Sequence, residues 1–468
     1  MPMLTTFANT FKIPELRKRI LITFGLVFIC RLISLIPTPG VDWQTLQATL
    51  EGARKAAGVG GGLMDWLNVF SGGALNHCAV GFLSIWPYIS AQIIIQLLTA
   101  VIPTLERASR EGETGRLKLA QYTRYLTIGI CIFQGWAIAT ALQRPESLFG
   151  ISATIVPGTD PAHLNIGFNV MTVICMTAAS LFVMWLADQI TTFGLGNGTS
   201  LIIMINITSR LPAACVEAWQ RYFGNSEISR SPVELVILLF MGFLIIMGTV
   251  MLTEGVRKVP IHSTRRSPGM GGSAYGMQQT FMPLRVNYTG VMPIIFAQPI
   301  IQFGGAILSR IPERFGWLAW LKSFGQQLMN MTSATHLLLY ALLILFFSFF
   351  WVATQFNAMR ISENLRRDSS YVPGIRPGMA TAEYLDALMT RVTLIGSIGL
   401  LIIALLPQIL RGWLQVPWEM ASFFGGTSLL IIVGVALDTL RQMESHLLMR
   451  NYDGFLRHGR IRSRRGGF

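Results

Sequence analysis

Charge is what this sequence has least of. Asp, Glu, Lys and Arg make up only 13% of the 468 residues and hydrophobic residues 52%, where an ordinary soluble domain carries about 25% charge. That balance excludes a soluble globular protein and implies a polytopic membrane protein. Hydrophilic blocks are short throughout, so one integral bundle is expected rather than a string of domains. Catalytic equipment is missing too. There is no GxxxxGK[ST], HExxH or GxSxG pattern. The six histidines, His77, His163, His262, His336, His446 and His458, are scattered. The five cysteines, Cys30, Cys78, Cys131, Cys175 and Cys215, lack CxxC or Cys/His spacing and read as packing residues. Neither an enzyme nor a metal or other cofactor is expected. Acids are also absent from the middle of the apolar runs, where ion-coupled transport would need them. An ion-coupled secondary transporter, which also uses broken helices, therefore remains only as the alternative. A TVGYG-like ion filter is missing as well.

What is present is a series of spans. Ten apolar runs fall at about 20–36, 79–101, 122–142, 164–187, 199–218, 233–252, 288–308, 336–357, 392–410 and 420–440. The first follows a basic segment, as in a signal peptide. It leads into PTPG rather than a cleavage site and reads as an uncleaved helix. The net charge of +14 sits mostly beside these spans. Of the 37 Lys and Arg, 26 lie at the N-terminus, in the loops after spans two, six and eight, and in the C-terminal tail. With an even span count, that asymmetry puts both termini in the cytoplasm, in a multi-pass protein of the cytoplasmic (inner) membrane. The two larger cytoplasmic loops, about 253–287 and 358–391, read either as topology determinants or as docking surfaces. Arg31 alone lies deep in a span, as a snorkelling or carbonyl-paired residue or as a functional one. One stretch, FSGGALNHCAVGFLSIWPYISAQIIIQLLT at 70–99, is too long. As one helix it would run about 45 Å, against a hydrocarbon core of about 30 Å. It must break, and Gly72, Gly73, Gly81 and Pro87 are the candidate points.

Seven strings, in order along nearly the whole chain, resemble the bacterial SecY family, the channel subunit of the Sec protein translocase. They are FSGGAL at 70–75, PYISAQIIIQLLT at 87–99, GETGRLKLAQYTRY at 112–125, GLGNGTS at 194–200, PLRVNYTGVMPIIFA at 283–297, YVPGIRPG at 371–378 and FFGGTSLLI at 423–431. The resemblance implies an all-α polytopic fold. Ten transmembrane helices would form two pseudo-symmetric five-helix halves around an hourglass pore closed by a plug helix. A cytoplasmic segment 1–19 would precede the N-terminal half, 20–218, which carries the plug at about 63–75. The C-terminal half would be 219–440, followed by a basic tail, 441–468. The implied function is passage of unfolded secretory polypeptides across the membrane, with sideways release of transmembrane segments into the bilayer.

The resemblance also assigns residues. The plug would include Phe70, Ser71, Gly72, Gly73, Ala74 and Leu75. An apolar pore ring would consist of Ile85, Ile89, Ile203, Ile295 and Ile431, the first two sharing a helical face at i, i+4. A lateral gate between spans two and seven would be lined by Ser90, Gln96 and Gln298 with Asn197 nearby, side chains that ordinary interhelical hydrogen bonding would also explain. Arg265, Arg266 and Arg376 would meet a cytoplasmic partner, although GMGGS beside the first two is less basic than in many relatives. Arg376 could instead pin its own loop. Implied partners are small membrane subunits resembling SecE and SecG, the SecA motor ATPase or a ribosome, signal-bearing polypeptides and membrane lipid. The tail arginines, Arg457 to Arg465, suit RNA, lipid or solvent equally.

Overall fold

The structure, a computed structural model, describes residues 13–42, 44–45, 47, 68, 71–143, 156, 165–223, 232–263, 279–309, 319–331, 333–414 and 426–458. Eight helical stretches among them are long and apolar enough to cross a membrane: Val80–Thr99, Glu113–Gln143, Ile166–Phe193, Gly198–Val216, Glu234–Glu254, Met292–Ser309, Ala334–Arg367 and Met379–Leu406. They coincide with expected spans two to nine. The first expected span is also helical, Pro14–Ile33, but Arg17, Lys18, Arg19 and Arg31 dilute its apolar character. The last is helical from Gly426, and its expected start at about 420 lies outside the described residues.

The chain forms two compact units. One gathers the described residues up to Arg210 together with those from Val435 onward. Its helices are α1 (Pro14–Ile33), α2 (Trp86–Val101), α3 (Pro103–Arg110), α4 (Glu113–Gln143), α5 (Ile166–Phe193) and α6 (Gly198–Thr208). Their ends follow from local chemistry. Pro14 and Glu15 occupy the first turn of α1, where a missing N–H costs nothing and a carboxylate meets the positive end of the dipole. Ile102 is extended before Pro103 and separates α2 from α3. The Asn165 side chain caps α5, accepting from Phe168 N. Gln143 on α4 donates to Asn165 O and Asn169 Oδ1, each at 2.9 Å, tying the two long helices together. The turn between α5 and α6 is as tight as its glycines allow. Gly196 has φ +80°, and a Cβ on Gly198 would collide with the carbonyl of Ala187.

The second unit gathers Leu211–Gly434. It contains α7 (Leu211–Phe223), α8 (Pro232–Glu254), α9 (Met292–Ser309), α10 (Ala319–Met329), α11 (Ala334–Gln355), α12 (Ala358–Arg367) and α13 (Met379–Leu414), and it holds the start of α14 (Gly426–His458). Its core joins Ile245, Ile294, Ala297, Ile301, Leu328, Tyr340, Ile344, Leu400 and Leu430. The two loops expected on the cytoplasmic side, about 253–287 and 358–391, carry strands that an all-α reading does not include. They contribute a three-stranded antiparallel sheet of β1 (Val256–Ser263), β2 (Gln279–Arg285) and β3 (Ser370–Tyr371), in the order β2-β1-β3. Pairing runs from Val256↔Arg285 to His262↔Gln279, and β3 joins at His262↔Tyr371. Val259 and Leu284 point inward onto Val352, Phe356, Leu385 and Met389, so the sheet is anchored on the ends of α11 and α13.

Candidate functional site

The overlong stretch does break, and glycine is why. Gly72 and Gly73 have φ of +68° and +91°, a conformation that ends helices and opens turns. From Ser71 to Ala79 the backbone runs through successive turns, with Asn76 N donating to Gly73 O and Ala79 N to Ala74 O. Of the expected plug, Asn68 is helical and Ser71 to Leu75 are turn, while 63–67, 69 and Phe70 lie outside the described residues. The turns are stitched to the segment after α1. Both the amide and the hydroxyl of Thr38 donate to Cys78 O, at 2.9 and 2.6 Å, and Val80 N donates to Ile36 O at 2.8 Å. A 3-10 turn at Val80–Phe82 follows, then Ser84 at φ +48°, and only then α2 with Pro87 in its first turn.

Arg31 is carbonyl-paired. Its Nη1 and Nη2 both donate to Gly72 O at 3.2 Å. Two residues unremarked in the sequence stand beside it. Asn206, buried on α6, donates from Nδ2 to Ser84 Oγ at 3.1 Å, and Ser209 Oγ approaches Gly72 O at 3.5 Å.

In the first unit Ile85, Ile89 and Ile203 are buried, and in the second Ile295 and Ile431. Ile89 N donates to Ile85 O at 3.1 Å, so these two stand one helical turn apart on one face. Of the gate residues, Ser90 and Gln96 are half-buried on α2. Asn197 has a local task as the cap of α6, its Oδ1 accepting from Thr199 N and Oγ1 at 3.1 and 2.6 Å. Gln298 is buried on α9, and among the described residues its Oε1 has no hydrogen-bond partner. Gln302, one turn further, is fully buried, and neither of its amide atoms is partnered among the described residues. Between them Pro299 removes the amide that Ile295 O would otherwise accept. The sequence signal for this polar strip was the i, i+4 pair of glutamines around a proline.

At the cytoplasmic candidates, Gly374 and Gly378 take φ of +80° and +109° and fold YVPGIRPG into a tight loop. Its backbone is fastened by Thr381 Oγ1 donating to Arg376 O at 2.8 Å and Ser362 Oγ donating to Gly378 O at 2.6 Å. The Arg376 side chain is exposed. Arg265 and Arg266 lie outside the described residues.

A family model described as SecY matches residues 80–440. The protein translocase subunit SecY of Streptomyces coelicolor is 40% identical over 455 residues, covering 97% of this chain and all of that one. The chain belongs to the SecY family. The SecY fold is evident in solved structures as well. A protein-conducting channel matches with a TM-score of 0.61 at 14% identity, covering 93% of this chain and 94% of its own. Sec61 in a canine ribosome-channel complex from the endoplasmic reticulum matches with a TM-score of 0.57 over the same shares at 14% identity.

Proposed function

We propose that this chain is the channel-forming subunit of a protein translocase. It passes unfolded secretory polypeptides across the membrane and releases transmembrane segments sideways. The observation that carries this reading is the full-length match to a translocase subunit SecY at 40% identity. The broken second span supports it, because irregular backbone at membrane depth is tolerated only where protein buries it or water lines it. No reaction is assigned to the chain. In this reading the halves 20–218 and 219–440 surround the pore, Ile85, Ile89, Ile203, Ile295 and Ile431 form its constriction, and the segment from about 63 to 75 is its plug. Ser90, Gln96 and Gln298 line the lateral gate, with Asn197 shaping the helix start beside it. Small membrane subunits resembling SecE and SecG complete the complex. A SecA-like motor or a ribosome docks where Arg265, Arg266 and Arg376 face the cytoplasm. Export of a precursor into proteoliposomes holding the purified complex and a motor tests the proposal. ATP-dependent protection of the precursor from protease is the expected result, and its absence with a folded complex refutes it.

Both termini face the cytoplasm of a cell with an inner membrane in this reading, which rests on the distribution of basic residues. Cysteines introduced at Ser229 and Ser369, in a background lacking the five native ones, should label from opposite sides of the membrane. Labelling of both from one side refutes the topology.

A further inference from the structure

Arg31 lies in the last turn of α1, inside the first apolar run, and the pore reading alone gives it no task. Its guanidinium puts two donors on one oxygen, Gly72 O, at 3.2 Å each. Ser209 Oγ, bonded at 2.8 Å to Asn206 O, reaches the same carbonyl at 3.5 Å. The backbone is shaped for this approach. Gly72 has φ +68°, and a Cβ there would collide with Arg31 Nη1 and lie 3.1 Å from Asn206 Oδ1 and 3.2 Å from Asn206 Cα. Only glycine fits. Asn206 holds Ser84 in turn, at the positive-φ break before α2. The end of α1, the turn segment and α6 thus converge on a single carbonyl.

An arginine at membrane depth is tolerated when carbonyls or cavities receive it, and a charge-assisted hydrogen bond away from bulk water is among the strong ones. Moving the turn leaves the guanidinium without its acceptor. We propose that Arg31 is a positioning residue that latches the turn segment Ser71–Ala79, the end of the plug and its connection to span two, in the resting channel and so sets how strong a signal sequence must be to open it. The latch rests on the channel reading above. Opening requires that Gly72 O leave the fork, and weak signals fail because they do not offset that loss.

The test uses the full chain with its small membrane subunits, comparing wild type with Arg31→Met, Arg31→Lys and Gly72→Ala. Three quantities are read: hydrogen exchange of the peptide over 71–79, resting ion conductance, and export of a precursor with a crippled signal sequence. Arg31→Met should speed exchange over 71–79 by roughly ten- to hundredfold, the loss of one charged hydrogen bond, while raising conductance and exporting the crippled precursor. Lysine, a point charge without the fork, should restore part of all three. Gly72→Ala should act in the same direction as Arg31→Met, and the double variant should fall short of the product of the two, since both break one contact. Wild-type exchange over 71–79 in Arg31→Met overturns the latch. Should that variant not fold, unchanged exchange in both Arg31→Lys and Gly72→Ala overturns it instead. Faster exchange with wild-type conductance and stringency overturns the gating role and leaves Arg31 a structural anchor. Failure of the wild-type complex to export any precursor is a separate result that counts against the channel reading.

Discussion

Arg376→Glu should leave the protein inserted and bound to its small membrane subunits yet abolish motor-driven export. The loop explains why the two effects separate. What fastens YVPGIRPG is backbone: Thr381 Oγ1 holds the carbonyl of residue 376, and Ser362 Oγ holds that of Gly378. Neither bond uses the guanidinium, which is exposed, and exposed substitutions away from special features usually stay within about 0.5 kcal/mol. The melting temperature of the complex should therefore hold. Docking is another matter, because arginine presents a rigid fork of donors suited to carboxylate or phosphate. Reversing its charge at an interface costs about 2–5 kcal/mol when the partner's charge is left buried, at least roughly thirtyfold in affinity. Arg376→Lys should be intermediate. Export into proteoliposomes, read beside the melting curve, decides: normal export by the Glu variant removes the contact, and lost export with a collapsed complex makes Arg376 a structural residue.

The second large effect concerns the seal. Replacing Ile85, Ile203 and Ile431 together by serine should let the resting channel conduct small ions in planar bilayers and pass weak signal sequences. Apolar side chains at a constriction keep water from forming a continuous column, and hydroxyls restore it. Burial does not by itself distinguish a pore ring from a packed core, since all three are withdrawn from solvent. Energetics does. A truncation that empties a packed core costs about 2–5 kcal/mol, so three of them would unfold an ordinary domain of 5–15 kcal/mol stability, on the order of the whole margin. Side chains bordering a pore lose far less, because water takes the space. A leaking complex of near-normal melting temperature supports the ring; a collapsed one assigns the three to the core. Deleting the segment 63–75 should leak less, as neighbouring chain can refill the funnel.

Membrane character, the spans and the family were all legible along the chain, because each depends on runs of adjacent residues. Hydrophobicity over some twenty positions is enough to mark a span. The breaks at Gly72, Gly73 and Gly81 were legible for a similar reason, as glycine acts on its own backbone. The sheet was not. β1 alternates Val259 and Ile261 inward with Lys258 and Pro260 outward, but Pro260 and Pro283 argue against strands. They are tolerated where β2 is an edge and β3 reaches β1 only at His262 and Ser263. The turns over Ser71–Leu75, at the end of the expected plug helix, follow from the glycines in the same way as the breaks.

Sequence by itself determined the spans, the asymmetry of basic residues and the SecY membership, since local chemistry and matching strings suffice for each. It left Arg31 open between snorkelling, carbonyl pairing and function. Tertiary structure alone showed the carbonyl pairing. Residues 31, 72 and 206 are far apart in the chain, and a hydrogen bond depends on distances of a few tenths of an ångström that no spacing rule encodes. The same holds for Gln302, whose buried amide, unpartnered among the described residues, follows from what α9 packs against, and for Asn197, whose side chain is committed to its own helix cap.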